Sequence, residues 1–159
     1  MNTRTFIASL VAGASMVVAS AAYAETVKAS GDVCWTGEIE YIGTTKKDTA
    51  WIWKADWTYM PDDKDLKSGA SGKCFGSGGL VDGKPKIGTT FCSHNQVVGG
   101  KFMSFGMGGP KGSKGTYFGG TDKFAGITGG FVGGPEGKLP AGEGRLAGCR
   151  HVNGEYTTK

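Results

Sequence analysis

Two stretches of the chain alternate apolar and polar side chains with a period of two, the spacing of a strand buried on one face. Over residues 33–43, Val33, Trp35, Ile39 and Tyr41 fall on one side, and Cys34, Thr36, Glu38 and Glu40 on the other. Residues 50–60 repeat this, with Trp51, Trp53, Ala55, Trp57 and Tyr59 set against Ile52, Lys54, Asp56 and Thr58. The polar run Gly43 to Asp48 reads as the hairpin connection between them, and Pro61-Asp62-Asp63 as the end of the second strand. Shorter, glycine-richer strands are predicted over 73–81, 86–97, 100–107, 115–120, 126–132 and 143–152. Turn signals separate them at Asp82-Gly83, Gly99-Gly100, Gly108-Gly109-Pro110 and Gly133-Gly134-Pro135. No window after residue 24 keeps apolar residues at helical spacing for more than about two turns. Eight short strands with turns at close intervals indicate an all-β protein, a closed antiparallel barrel or a small sandwich. Glycines within strands favour the barrel, whose coiling needs bends and whose closure removes aggregation-prone edges.

The segment Gly115-Thr116-Tyr117-Phe118-Gly119-Gly120-Thr121-Asp122-Lys123-Phe124-Ala125-Gly126-Ile127-Thr128-Gly129 resembles the repeat-ending signature of the allene oxide cyclase-like barrels. That group includes plant allene oxide cyclases, dirigent proteins and bacterial relatives. The shared pattern is a strand, then Gly-Gly-Thr-Gly-x-Phe, then a small-residue strand ending in Gly. Asp122 stands where the third glycine is usual, a position Asp tolerates because it visits left-handed backbone more readily than most residues. The resemblance implies a bacterial member with an eight-stranded antiparallel, calycin-like barrel, plugged at one end by Phe124 and assembled as a dimer or trimer. It also implies an apolar cavity that holds a reactive intermediate and steers its cyclisation or coupling. It transfers no particular catalytic residue to this chain.

Compartment is read from the N-terminus and the cysteines. Arg4, an uncharged stretch from Phe6 to Ala22, and Ala22-Tyr23-Ala24 form the pattern of a secretory signal peptide over residues 1–24. A single domain, 25–159, would follow, periplasmic or secreted. No later apolar run is long enough for a helix to span a bilayer. Cys34, Cys74, Cys92 and Cys149 are an even set in an exported chain, without a C-x-x-C pair, and so read as two disulfides. Three connectivities are open; the strand layout favours Cys74–Cys92 and Cys34–Cys149.

Composition then removes whole function classes. A length of 159 residues suits one domain. The fractions of 20% charged and 11% aromatic residues supply a core, which excludes a disordered chain. The formal charge of +4 is scattered without a Lys/Arg run, arguing against nucleic acid as a partner. The glycine-rich run 106–112 lacks the Lys-Ser/Thr ending of a phosphate loop, and no Gly-x-Ser-x-Gly elbow is present. No metal or nucleotide cofactor is expected.

The candidate ligand-binding residues are therefore aromatic. All four tryptophans, Trp35, Trp51, Trp53 and Trp57, lie on two neighbouring strands with Tyr41 and Tyr59, at spacings that place them on one face. Facing inward, they would wall a pocket for a flat or apolar molecule. Met103 and Phe105, alternating with Met107, are expected to form the softer wall opposite. Glu38, Glu40 and Asp56 are weak catalytic candidates: opposite the tryptophan face they read first as exterior ion pairs, and as general acids or bases only if the barrel is inverted. His94 and His151 have no ligand spacing and read as structural residues. The function expected is an exported barrel that binds a small hydrophobic or aromatic molecule and guides its cyclisation, isomerisation or stereoselective coupling, an isomerase/cyclase- or lyase-type activity. A carrier or scavenger, or a structural envelope protein, shares the sequence features.

Overall fold

The computed structural model describes residues 24–43 and 45–159. The strands are β1 (Glu25–Gly43), β2 (Thr49–Pro61), β3 (Ala70–Val81), β4 (Lys84–Gln96), β5 (Lys101–Gly109), β6 (Gly112–Phe118), β7 (Thr128–Gly133), β8 (Gly137–Lys138) and β9 (Arg145–Thr158). Each pairs antiparallel with its neighbour in the order β1-β2-β3-β4-β5-β6-β7-β9, and β9 returns to β1. The result is a closed eight-stranded antiparallel barrel, with the two-residue β8 added against β9. All eight expected strands are present. β1 and β9 run longer than their apolar alternation suggests, because Glu25–Ser30 pairs with Asn153–Thr158 through residues with little apolar signal. The predicted signal peptide lies, apart from Ala24, outside the described residues, and β1 begins at Glu25. Among the described residues no helix is long and apolar enough to cross a membrane.

Hairpin connections alternate between the two barrel ends. The β1–β2, β3–β4 and β5–β6 turns and the segment 134–144 lie at what we call the upper end; segments 62–69, 97–100 and 119–127 lie at the lower. Asp82 and Gly83 both take positive φ (52° and 70°), the conformation that a two-residue hairpin needs to match strand twist. Both predicted disulfides form, and the register explains each. Cys34 is directly opposite Cys149 across the β1–β9 seam, and Cys74 directly opposite Cys92 on β3 and β4.

The tightest packing is at the lower end. Phe124 is 2% exposed and lies against Phe102, Ile127, Tyr117 and Tyr156. It is delivered by a short 3₁₀ turn, Asp122–Phe124, that follows Gly119 and Gly120. Asp122 holds a left-handed φ of 55°, the conformation for which glycine is usual at this point.

Candidate functional site

Above the Phe124 layer the barrel is hollow. The cavity measures about 1150 Å³, just above the roughly 300–1,000 Å³ usual for small-molecule sites. Its size follows from how large and small residues alternate around the wall. On β3, Gly72, Gly76 and Gly78 stand opposite Trp57, Trp53 and Trp51, and on β9 Gly148 stands opposite Trp35. A Cβ added at Gly76 would come within 2.6 Å of the Trp53 ring, and one at Gly148 within 2.8 Å of Trp35. The indoles therefore lie along the wall over bare backbone. Large aromatic residues are spent on surfacing the hollow rather than filling it.

Ile39, Tyr41, Tyr59 and Phe131 continue the apolar lining. Cys74 and Cys92 also line it, so this disulfide faces the cavity, whereas Cys34 and Cys149 lie on the outer face of β1 and β9.

Besides serines and threonines such as Thr90 and Ser113, two polar groupings stand out on the wall. In the lower half, His94 on β4 reaches Ser104 on β5, with Nε2 2.8 Å from the hydroxyl oxygen. Its ring stacks on Phe102 (4.3 Å between centroids) and meets Trp57 (4.6 Å) and Tyr117 (5.9 Å) edge-on. Burial pushes the imidazole pKa down to about 3, so the ring is neutral at ordinary pH. Burial likewise raises the phenols of Tyr59, to about 12, and Tyr117, keeping both protonated as donors. In the upper half, Arg150 on β9 shares the inward face with Gly148 and Val152. Its Nη2 donates to the Gly109 carbonyl (2.9 Å), and its guanidinium carbon lies 5.9 Å from the Trp35 ring.

No protein-family model matches this chain, and no curated protein matches it. Among solved structures, the pterocarpan synthase dirigent protein GePTS1 is similar, with a TM-score of 0.54 at 9% sequence identity, covering 98% of this chain and 99% of that one. The fold is a dirigent-like barrel. At this identity the likeness speaks of architecture alone, and the chemistry must come from the side chains in place.

Within the dirigent-like barrel, Trp35, Tyr41, Trp51, Trp53, Trp57 and Tyr59 all line the cavity. Trp57 is nearly buried, and its indole N–H donates to the Ser93 carbonyl (3.2 Å), the partner a buried indole requires. Met103 and Phe105 are not on the opposite wall. The inward positions of β5 are Phe102, Ser104 and Gly106, paired with His94, Cys92 and Thr90, so Met103 (41% exposed) and Phe105 face outward. Phe105 instead completes an outer stack with Phe91 (4.8 Å) and Phe75 (5.5 Å from Phe91) on three adjacent strands.

Glu38, Glu40 and Asp56 are also outside the cavity. Glu38 is held by Lys54 (2.9 Å) and Arg145 (3.4 Å), Asp56 lies 3.8 Å from Lys73, and all three carboxylates are on the exposed face. The exterior ion-pair reading fits Glu38 and Asp56; Glu40 is exposed without an ion pair among the described residues, and none of the three lines the cavity. His151 is on the same outer surface, with Nδ1 3.1 Å from Asp32 and Nε2 3.1 Å from the Ser30 hydroxyl. These are the contacts of a serine–histidine–acid triad. The Ser30 hydroxyl, however, is also held by Asp62 (2.7 Å) and Asn153 (3.0 Å) in a solvated network that ties β1 and β9 to the loop after β2. That geometry braces a barrel seam rather than aiming a nucleophile.

The polar cavity residues Ser104, Tyr117 and Arg150 were not picked out by sequence pattern, and His94 read as structural. A signal for Arg150 existed. Once Cys34 is placed on the polar face of β1, its partner Cys149 must share that face, which turns Arg150 inward beside Trp35.

Proposed function

We propose that this protein takes a small apolar or aromatic molecule into the barrel and holds it in one orientation for a stereoselective coupling, ring closure or isomerisation, acting outside the cytoplasm. The observation that carries the reading is the hollow itself: four indoles laid flat on glycines around about 1150 Å³. A solvent-excluding aromatic wall selects a flat guest by area and fixes its tumbling, and orientation alone can lower a barrier by several kcal/mol. A neighbour named as a dirigent protein and a pterocarpan synthase fits a barrel that guides stereoselective coupling. Neutral His94, with Ser104 beside it and Tyr117 against its ring, supplies the acceptor and donors that would steer a hydroxyl or carbonyl of the guest.

The test is titration of the purified protein with a broad panel of aromatic metabolites, followed by tryptophan fluorescence and by chiral analysis of any product. Saturable quenching together with a product of one handedness is expected. A flat fluorescence response across the panel would overturn the reading, and a guest returned unchanged would make the barrel a carrier. We infer further that the chain forms a homo-oligomer, through the outer Phe75-Phe91-Phe105 stack, which no element among the described residues covers.

A further inference from the structure

Arg150 is an unusual residue to find on the inner wall of an aromatic barrel. Its side chain is 12% exposed, and its Nε is buried with no hydrogen-bond partner. Of the five N–H donors a guanidinium carries, the described residues engage one, at the Gly109 carbonyl. The nearest carboxylate, Glu136, stands 3.9 Å from Nη2, too far for a hydrogen bond. A cation removed from water and under-bonded in this way is costly unless an anion comes to it.

The setting also favours an anion as the arriving partner. Lys86, Lys138 and Arg145 border the upper half of the cavity, and Glu136 is the one carboxylate lining that half among the described residues. Arg145 is engaged outside by Glu38, but Lys86 and Lys138 add positive field at the mouth, which would draw in a negatively charged guest. Trp35 lies directly beside the guanidinium. One small molecule carrying an aromatic ring and an acid group would satisfy both the indole wall and Arg150.

We propose that the guest of this cavity is an aromatic carboxylate, its carboxylate paired with Arg150 at the upper end and its ring laid along Trp35 and Trp53. The proposal rests on the cavity-binding reading above and narrows it to a ligand class. Glu136 acts as the placeholder that the incoming carboxylate displaces. Arginine suits this role because its planar fork matches carboxylate geometry and stays charged even when burial disfavours the charge.

The experiment compares 2-naphthoate with 2-naphthamide, which share a ring system and differ in charge, by calorimetric and fluorescence titration. The wild-type protein is expected to bind the acid at least tenfold more tightly than the amide, with the gap narrowing as salt rises. Arg150→Gln should erase the gap by weakening the acid far more than the amide, and Arg150→Lys should restore part of it. Glu136→Gln, which removes the competing carboxylate, should tighten the acid several-fold and leave the amide alone. Equal binding of acid and amide by the wild type would overturn the anchor and leave the cavity reading standing. Failure of both compounds to bind would count against the cavity reading, and the anchor would fall with it. The wild-type comparison needs no variant, so a folding defect in Arg150→Gln would not decide the matter.

Discussion

His94 shows how one buried side chain couples the cavity to pH. In the unfolded chain its imidazole has an ordinary pKa near 6.5, and in the barrel burial holds it near 3. Between those values the unfolded chain takes up a proton that the folded one refuses. The His94 contribution to stability is therefore full above pH 6.5 and is lost as pH falls towards 3, by at most about 1.4 kcal/mol per pH unit. Denaturant unfolding from pH 4 to 8 should show this slope in the wild type. His94→Gln, which keeps a neutral group for Ser104 but does not titrate, should flatten the slope over that window. Identical slopes would mean that the ring is protonated inside the barrel. The same residue marks a limit of sequence reading, because a histidine in a strand looks alike whether it faces water or an indole. Its meaning depends on Ser104, which only the β4–β5 register brings to it.

Strands were legible wherever one face alone is apolar. β1 and β2 separate indoles from charges so cleanly that the two faces of each strand follow from alternation, while which face turns inward and which cysteines pair needed the register. β5 defeats the same argument. Its outer positions, Met103, Phe105 and Met107, carry more apolar bulk than its inner ones, Phe102, Ser104 and Gly106. Gly106 is small because Phe131 crosses over it, a contact made from a strand two places along the sheet and invisible to local pattern. The two disulfides should likewise differ in worth. Cys74–Cys92 closes a separation of 18 residues within one hairpin, whereas Cys34–Cys149 spans 115 and fastens the seam where the first and last strands meet. Loop entropy gives about 3 kcal/mol for the first and nearly 5 for the second. In denaturant unfolding, the Cys34→Ser/Cys149→Ser protein should be the less stable of the two double variants. The reverse order would show that the seam is held by its other contacts.

At the scale of the whole molecule, the aromatic residues divide into two populations on opposite sides of one sheet. The inner set surfaces a cavity. The outer set, Phe75 (60% exposed), Phe91 and Phe105, forms a stack across β3, β4 and β5, with Met103, Met107 and Phe118 also exposed on β5 and β6. Elsewhere the outer face of β1, β2 and β3 mixes ion pairs, such as Glu38–Lys54 and Asp56–Lys73, with single exposed aliphatic residues such as Ile42 and Ile52, so the aromatic part of the outer surface is the stack on β3, β4 and β5. A contiguous exposed patch of this kind marks an association surface more often than a solvated one. A second copy of the chain offers the matching patch, since a two-fold axis sets the same residues against themselves. Light scattering coupled to size exclusion should therefore give a mass above that of the monomer at micromolar concentration. Phe75→Glu places a charge at the most exposed ring of the stack and should return the mass to that of the monomer. Because Phe75 points away from the cavity, the same variant should keep its tryptophan fluorescence and its affinity for any cavity guest. A wild-type protein that runs as a monomer throughout would show that the outer stack is simply solvated and that the barrel works alone.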